Sequence, residues 1–193
     1  MTHRLHRFTP DELDPAQREL YDAIAGGPRA AGPQLFALTD ADGRLNGPFN
    51  AMLLAPAVGQ ALQQLGAAIR YQTSLTDRVR ELAILLVAAR WDCDFEWYAH
   101  EAIGRAAGLT EEEIAALRDG RAPDLADQTE AVAVRLVLAL LDGDVDDVTY
   151  HHAISTIGNR MVFELTALVG YYATLALQLR VFRVPVPQES GPT

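Results

Sequence analysis

A chain of 193 residues, 49% hydrophobic and 22% charged, has the length and balance of a soluble protein able to bury its own core. Its 16 Lys and Arg against 26 Asp and Glu leave a net charge of -10, a surface that repels phosphate backbones and anionic membranes, so nucleic-acid and membrane partners are not expected. The lone cysteine, Cys93, excludes an intrachain disulfide and any zinc site built on several thiolates.

Helical spacing recurs along the chain and no segment alternates convincingly at the strand period, which predicts an all-α protein. The opening run MTHRLHRFTPDELDP lacks the apolar stretch of a secretory signal, so a cytoplasmic protein is expected. Asp14 followed by Pro15 reads as a cap and first helical position, opening a helix to about Ala25 that Gly26-Gly27-Pro28 ends. Residues 26–47 hold seven glycines and prolines and read as a long irregular connection, with Leu35, Phe36 and Leu38 to bury.

A short helix is predicted from Pro48 to Ala55 and a longer one from Pro56 to about Tyr71. Thr76 caps the next, in which Val79, Leu82, Ala83, Leu86 and Val87 repeat at helical spacing. A break near Trp91 and Asp92 leads to a helix from Asp94 to about Ala107, stopped by Gly108. Thr110 and Glu113 form a capping box for a short helix ending before Gly120. Further helices are predicted at 128–141, 147–157 and 160–182. The stretch Met161 to Leu179 approaches a membrane span in length. It contains Glu164, Thr166, Thr174 and Gln178 between Arg160 and Arg180, so it reads as a buried helix.

The chemistry-bearing residues cluster in Arg80-Glu81-Leu82-Ala83 and in the run from Cys93 to His100. Steps of three from Cys93 to Glu96 and four from Glu96 to His100 place those side chains on one helical face. An antiparallel hairpin would bring Glu81 against that face, and Trp97 would wall it. An imidazole titrating near neutrality beside carboxylates is suited to proton transfer, without a metal or other cofactor. Each residue alone also has a structural reading. His100 would be a satisfied, partly buried histidine, Glu96 solvated or paired with His100 at i+4, Glu81 an exposed partner of Arg78 or Arg80, and Cys93 a small buried hydrophobe. Asp146, Asp147, His151 and His152 offer ligand atoms, but adjacent histidines on a helix point about 100° apart and no metal site is expected.

These two runs, together with Gly108-Leu109-Thr110 and more weakly Phe163-Glu164-Leu165 and Gly170-Tyr171-Tyr172, resemble the carboxymuconolactone decarboxylase family, which includes the alkylhydroperoxidase-D-like proteins. The resemblance is firm over Thr76 to Leu117 and looser elsewhere. It implies one all-α domain over residues 1–193. This would be an alkylhydroperoxidase-D-like helical bundle with core 48–185 and an N-terminal extension over 1–47, assembling as a homo-oligomer, a trimer or hexamer. It also implies Glu81, Cys93 and His100 as proton-relay residues. The peroxidase branch carries Cys-x-x-Cys four residues before the histidine. Here the second position is Glu96, and the Glu96-Trp97-x-x-His100 pattern looks more like the cofactor-free decarboxylase branch.

The expected function is therefore cofactor-independent acid–base catalysis on a small organic acid or lactone. His100 would be the acid/base, Glu81 its orienting partner and Glu96 a relay or substrate contact. An anionic substrate needs a cation, for which Arg70, Arg78, Arg80, Arg90 and His152 are candidates. Two alternatives stand beside this. One is a thiol-dependent peroxidase using Cys93, although Asp92, Asp94 and Glu96 oppose its ionisation. The other is a non-catalytic, ligand-binding helical oligomer with a buried polar cluster.

Overall fold

The computed structural model describes residues 4–27, 30 and 37–187. Among these residues it contains eight α-helices, a short 3-10 turn at Pro10–Glu12 and no strand; the protein is all-α. The helices are α1 (Pro15–Ala25), α2 (Pro48–Met52), α3 (Pro56–Tyr71), α4 (Asp77–Arg90), α5 (Asp94–Ala106), α6 (Glu111–Arg118), α7 (Gln128–Asp142) and α8 (Asp147–Phe182).

Local chemistry sets most of these boundaries. At α1 the Asp14 carboxylate accepts from the Gln17 amide at 2.8 Å, Pro15 takes the first position, and Gly26 closes the helix. The Thr110–Glu113 box opens α6, while Asp127 and Asp146 cap α7 and α8. Pro56 is the reason α2 stops at Met52 rather than Ala55. A residue before proline is driven out of the helical region, and Ala55 sits at φ -142, ψ 79. The helices expected at 147–157 and 160–182 run on as α8, broken only at Gly158, whose φ of 75 and ψ of 161 are non-helical.

Helix α4 lies at the centre. Val79 and every residue from Glu81 to Ala88 are buried in it, the pattern of a helix surrounded by others. It packs against α5, α6, α7 and α8. Arg78 pins it at one end, donating from Nε to Glu130 Oε1 at 2.8 Å, from Nη2 to Glu113 Oε1 at 2.9 Å, and from Nη1 to the Gly108 carbonyl. Leu165, Leu168, Leu175 and Leu179 of α8 face inward. That helix is long and apolar enough to cross a membrane by those measures alone, yet these leucines belong to the protein's own core.

Within the segment expected to be irregular, residues 37–46 fold back through an isolated Thr39–Leu45 bridge, and Leu45 is fully buried. Leu38 packs against the core, whereas Leu35 and Phe36 lie outside the described residues.

Candidate active site

The turn Trp91-Asp92-Cys93 reverses the chain between α4 and α5. Asp92 takes a left-handed φ of 47, and the Cys93 amide donates to the Ala88 carbonyl at 2.9 Å. This hairpin carries Glu81 inward to α5, as the spacing predicts. The His100 ring nitrogen Nδ1 lies 2.7 Å from Glu81 Oε2, and Nε2 lies 3.6 Å from Glu96 Oε2. Glu81, Glu96 and His100 are respectively 2%, 4% and 7% exposed. A carboxylate can only accept, so the 2.7 Å contact places the proton of Nδ1 toward Glu81 and leaves Nε2 to exchange protons. At 3.6 Å no direct bond closes between Nε2 and Glu96.

The reading of Glu81 as a solvated surface partner is thereby replaced, because its carboxylate is inside. Arg80 nevertheless reaches it, with Nε 3.7 Å from Glu81 Oε1, and its guanidinium also pairs with Asp77. Of the other candidate cations, Arg78 is held by Glu113 and Glu130, and Arg90 lies 3.9 Å from Asp142 at the surface.

Helix α8 closes the cluster with Tyr172, whose ring meets that of His100 edge-on, at 5.3 Å between centroids and 88° between planes. Burial holds the Tyr172 hydroxyl well above its ordinary pKa, and the charges of Glu96 and Glu81 push the same way, so it stays a neutral donor. Tyr172 is the member that sequence reasoning passed over. Its signal was a phenol within the apolar run of the last helix, where a buried hydroxyl requires a polar neighbour.

Cys93 shares the helix but packs in a small apolar cluster with Phe95, Ala99, Ala176 and Leu179. Burial pushes its thiol up to about 11, the negative charges of Glu96 and Asp94 add to this, and backbone N–H groups at the start of α5 oppose it. Trp97 belongs to the main core, with the Arg118 guanidinium 4.2 Å from its ring centroid. Among the described residues, no group of three or more His, Cys, Asp and Glu side chains is arranged to hold a metal ion; the Asp146 carboxylate serves as the α8 cap. Surface hollows of about 440 and 390 Å³ lie elsewhere, and Glu81, Glu96 and His100 line neither.

Comparison with known proteins agrees with this architecture. The fold resembles a protein of unknown function from Agrobacterium tumefaciens described as a putative antioxidant defence protein AhpD. The TM-score is 0.64 at 20% identity, covering 75% of this chain and all of that one. It also resembles an uncharacterized peroxidase-related protein with an alkylhydroperoxidase AhpD core from Ralstonia eutropha JMP134, with a TM-score of 0.71 at 13% identity, covering 97% and 93% of the two chains. A third likeness, with a TM-score of 0.70 at 10% identity and the same coverage, is to a cysteine-to-alanine variant of the debrominase Bmp8 in complex with 2,3,4-tribromopyrrole. At these identities the likenesses establish the fold alone. Comparison with curated proteins finds no match. Residues 56–139 match the family model described as "Carboxymuconolactone decarboxylase family", and this span contains α4, α5 and the whole Glu81–Glu96–His100 group. Over this segment, less than half of its length, the chain is similar to the carboxymuconolactone decarboxylase family.

Proposed function

We propose that the protein is a cofactor-independent enzyme moving protons on a small organic acid or lactone, in the manner of the decarboxylase branch of the family it resembles. The observation that carries this reading is the buried His100, fixed through Nδ1 by Glu81 at 2.7 Å and facing Glu96 with Nε2. In a desolvated setting a carboxylate at Nδ1 orients the ring and stabilises its charged form, which readies Nε2 to deliver or take a proton. For a decarboxylation, the C–C bond to the carboxylate breaks, carbon dioxide leaves, and the electron pair left on carbon accepts the proton from Nε2–H. The Tyr172 hydroxyl, kept neutral, hydrogen-bonds the oxygen on which charge develops. Arg80, behind Glu81, supplies the positive charge nearest the pair. The cluster is closed at rest, so access follows displacement of the Tyr172 edge that covers His100.

Cys93 takes no part in this chemistry. With its thiol up at about 11, roughly one molecule in ten thousand carries a thiolate at pH 7, which disfavours a peroxidase cycle. The exposed Phe163, Leu177 and Val181 on α8 support assembly with further copies of the chain.

A second reading rests on the closure itself. With all three residues at most 7% exposed and lining neither hollow, the cluster would serve as a polar clasp between α4 and α5 in a non-catalytic oligomer.

Carbon dioxide release from a panel of carboxylated γ-lactones separates the two. The enzyme reading expects turnover that falls about 100- to 10,000-fold in His100→Ala or Glu81→Gln and persists in Cys93→Ser. Turnover abolished by Cys93→Ser would move the chemistry to the thiol. No turnover on any member of the panel would leave the clasp.

A further inference from the structure

A hollow of about 440 Å³ lies between residues 5–7, the entrance to α2 and the segment that follows α8. This is within the size range of small-molecule sites, about 300–1,000 Å³. Its walls are largely hydrocarbon, from Leu5, Leu45, Phe95, Phe182, Val184 and Val186.

The polar groups around it hold the walls in place. Asn50 is 4% exposed, and both ends of its amide are used: Nδ2 donates to the His6 carbonyl at 2.9 Å, and Oδ1 accepts from the Phe8 amide at 3.2 Å. Arg4 donates to the Val181 carbonyl at 3.0 Å, tying the same N-terminal segment to the last turn of α8. Gly47 brings backbone against the tip of the Phe95 ring. Its φ of 61 suits glycine, and a Cβ there would lie 2.6 Å from the ring. The outer wall is thus fastened to two helices at separate points while the space behind it stays lined by methyl and ring carbons.

Among the described residues, the one ionised member of the lining is already neutralised. Arg7 lies 3.0 Å from Asp40 and donates to Asn46 Oδ1 at 2.7 Å, while Arg44 lies 3.8 Å from Asp40 and pairs with Asp42. Two guanidinium groups and two carboxylates sum to zero on a chain of net charge -10, so an anion gains no net attraction there. Recognition falls to apolar area. We propose that this hollow is a binding site for a small, uncharged hydrophobic molecule. Glu81, Glu96 and His100 do not line it, so this proposal stands apart from the enzymatic reading.

The test titrates the full chain with N-phenyl-1-naphthylamine, which is uncharged and fluoresces in apolar surroundings. The expected result is saturable binding at one molecule per chain, weakened at least tenfold by Val186→Trp, which fills the hollow. It is unchanged by Ala173→Trp in the separate groove beside Gly170. In the unsubstituted chain, methyl NMR signals of Leu5, Leu45 and Val184 shift on addition, a readout independent of any variant's folding. A second comparison tests the ligand class: 1-naphthol binds at least tenfold more tightly than 1-naphthoate. Absence of saturable binding, retention of affinity in a folded Val186→Trp, or shifts confined to other methyls would overturn the site. Equal or tighter binding of 1-naphthoate would overturn the uncharged class.

Discussion

The pair Glu81→Gln and Glu81→Ala separates the charge of the buried contact from its shape. The carboxylate is 2% exposed, lies 2.7 Å from His100 Nδ1 and has Arg80 Nε at 3.7 Å on its other oxygen. Glutamine keeps an oxygen for the imidazole N–H, so a charge-assisted bond of about 1.5–3 kcal/mol becomes a neutral one of about 0.5–1.5. Its amide NH2 then faces the Arg80 side, where an acceptor stood. The expected cost of Glu81→Gln is about 1–2 kcal/mol. Alanine removes the partner of a buried pair outright and should cost about 3–5 kcal/mol. Urea unfolding followed by circular dichroism at fixed protein concentration measures both, with unchanged m-values showing that the comparison is sound. A cycle combining Glu81→Gln with His100→Ala should return a coupling energy of about 1–3 kcal/mol. If both single variants fall within about 0.5 kcal/mol of the parent and the coupling is nil, the contact is not closed in solution and the argument built on it fails.

Cys93 should react with iodoacetamide at a rate rising about tenfold per pH unit up to pH 10, because burial holds its thiol up at about 11; a plateau near pH 8.5 would refute this. The same shift has a sign for stability: the unfolded thiol ionises from its ordinary value of 9.0 and the buried one resists. Its contribution is therefore full below pH 9 and is lost as pH rises toward 11, a decline that Cys93→Ala should remove from the pH dependence of urea midpoints. Arg78→Ala leaves Glu113 and Glu130, 12% and 13% exposed, facing each other without their cation, and should lower stability by about 2–4 kcal/mol. A Tm equal to the parent's would show that the clamp is ornamental. Gly47→Ala combines a left-handed φ with a Cβ 2.6 Å from the Phe95 ring and should cost about 2–3 kcal/mol; retention of the parent's urea midpoint would contradict the close approach.

The parts legible in the sequence were those written in local chemistry. Caps and breakers placed helix ends to within a residue or two: Asp14-Pro15, Thr76, Gly108 and Thr110–Glu113 all act where their types predict. The break in α8 was legible for the same reason, since the two predicted helices stop either side of Gly158. The i, i+4 step placed Glu96 beside His100, and the turn at Trp91–Cys93 folded α4 back so that Glu81 came in. Residues whose role depends on distant chain were not legible. Tyr172 meets His100 only because α8 lies across the hairpin, and nothing in its own neighbourhood names that partner. The fold-back of residues 37–46, with its buried Leu45, was hidden because glycine and proline mark where regular structure stops, not what the chain then packs against.

One face of α5 places the thiol and the imidazole in series, yet the structure gives them different environments. Cys93 stands at the helix start among Phe95, Ala99, Ala176 and Leu179, where burial and the charges of Glu96 and Asp94 oppose its thiolate. His100 stands two turns on, where α4 offers a carboxylate and α8 a phenol. The spacing is therefore compatible with two chemistries, and on the proposed reading the side chains supplied by α4 and α8 favour the imidazole. Replacing Cys93 should leave the His100 pair intact, whereas moving α8 should disturb it through Tyr172. On the proposed enzymatic reading, the part of the chain that selects the reaction is the last helix, more than seventy residues beyond the histidine whose ring it meets.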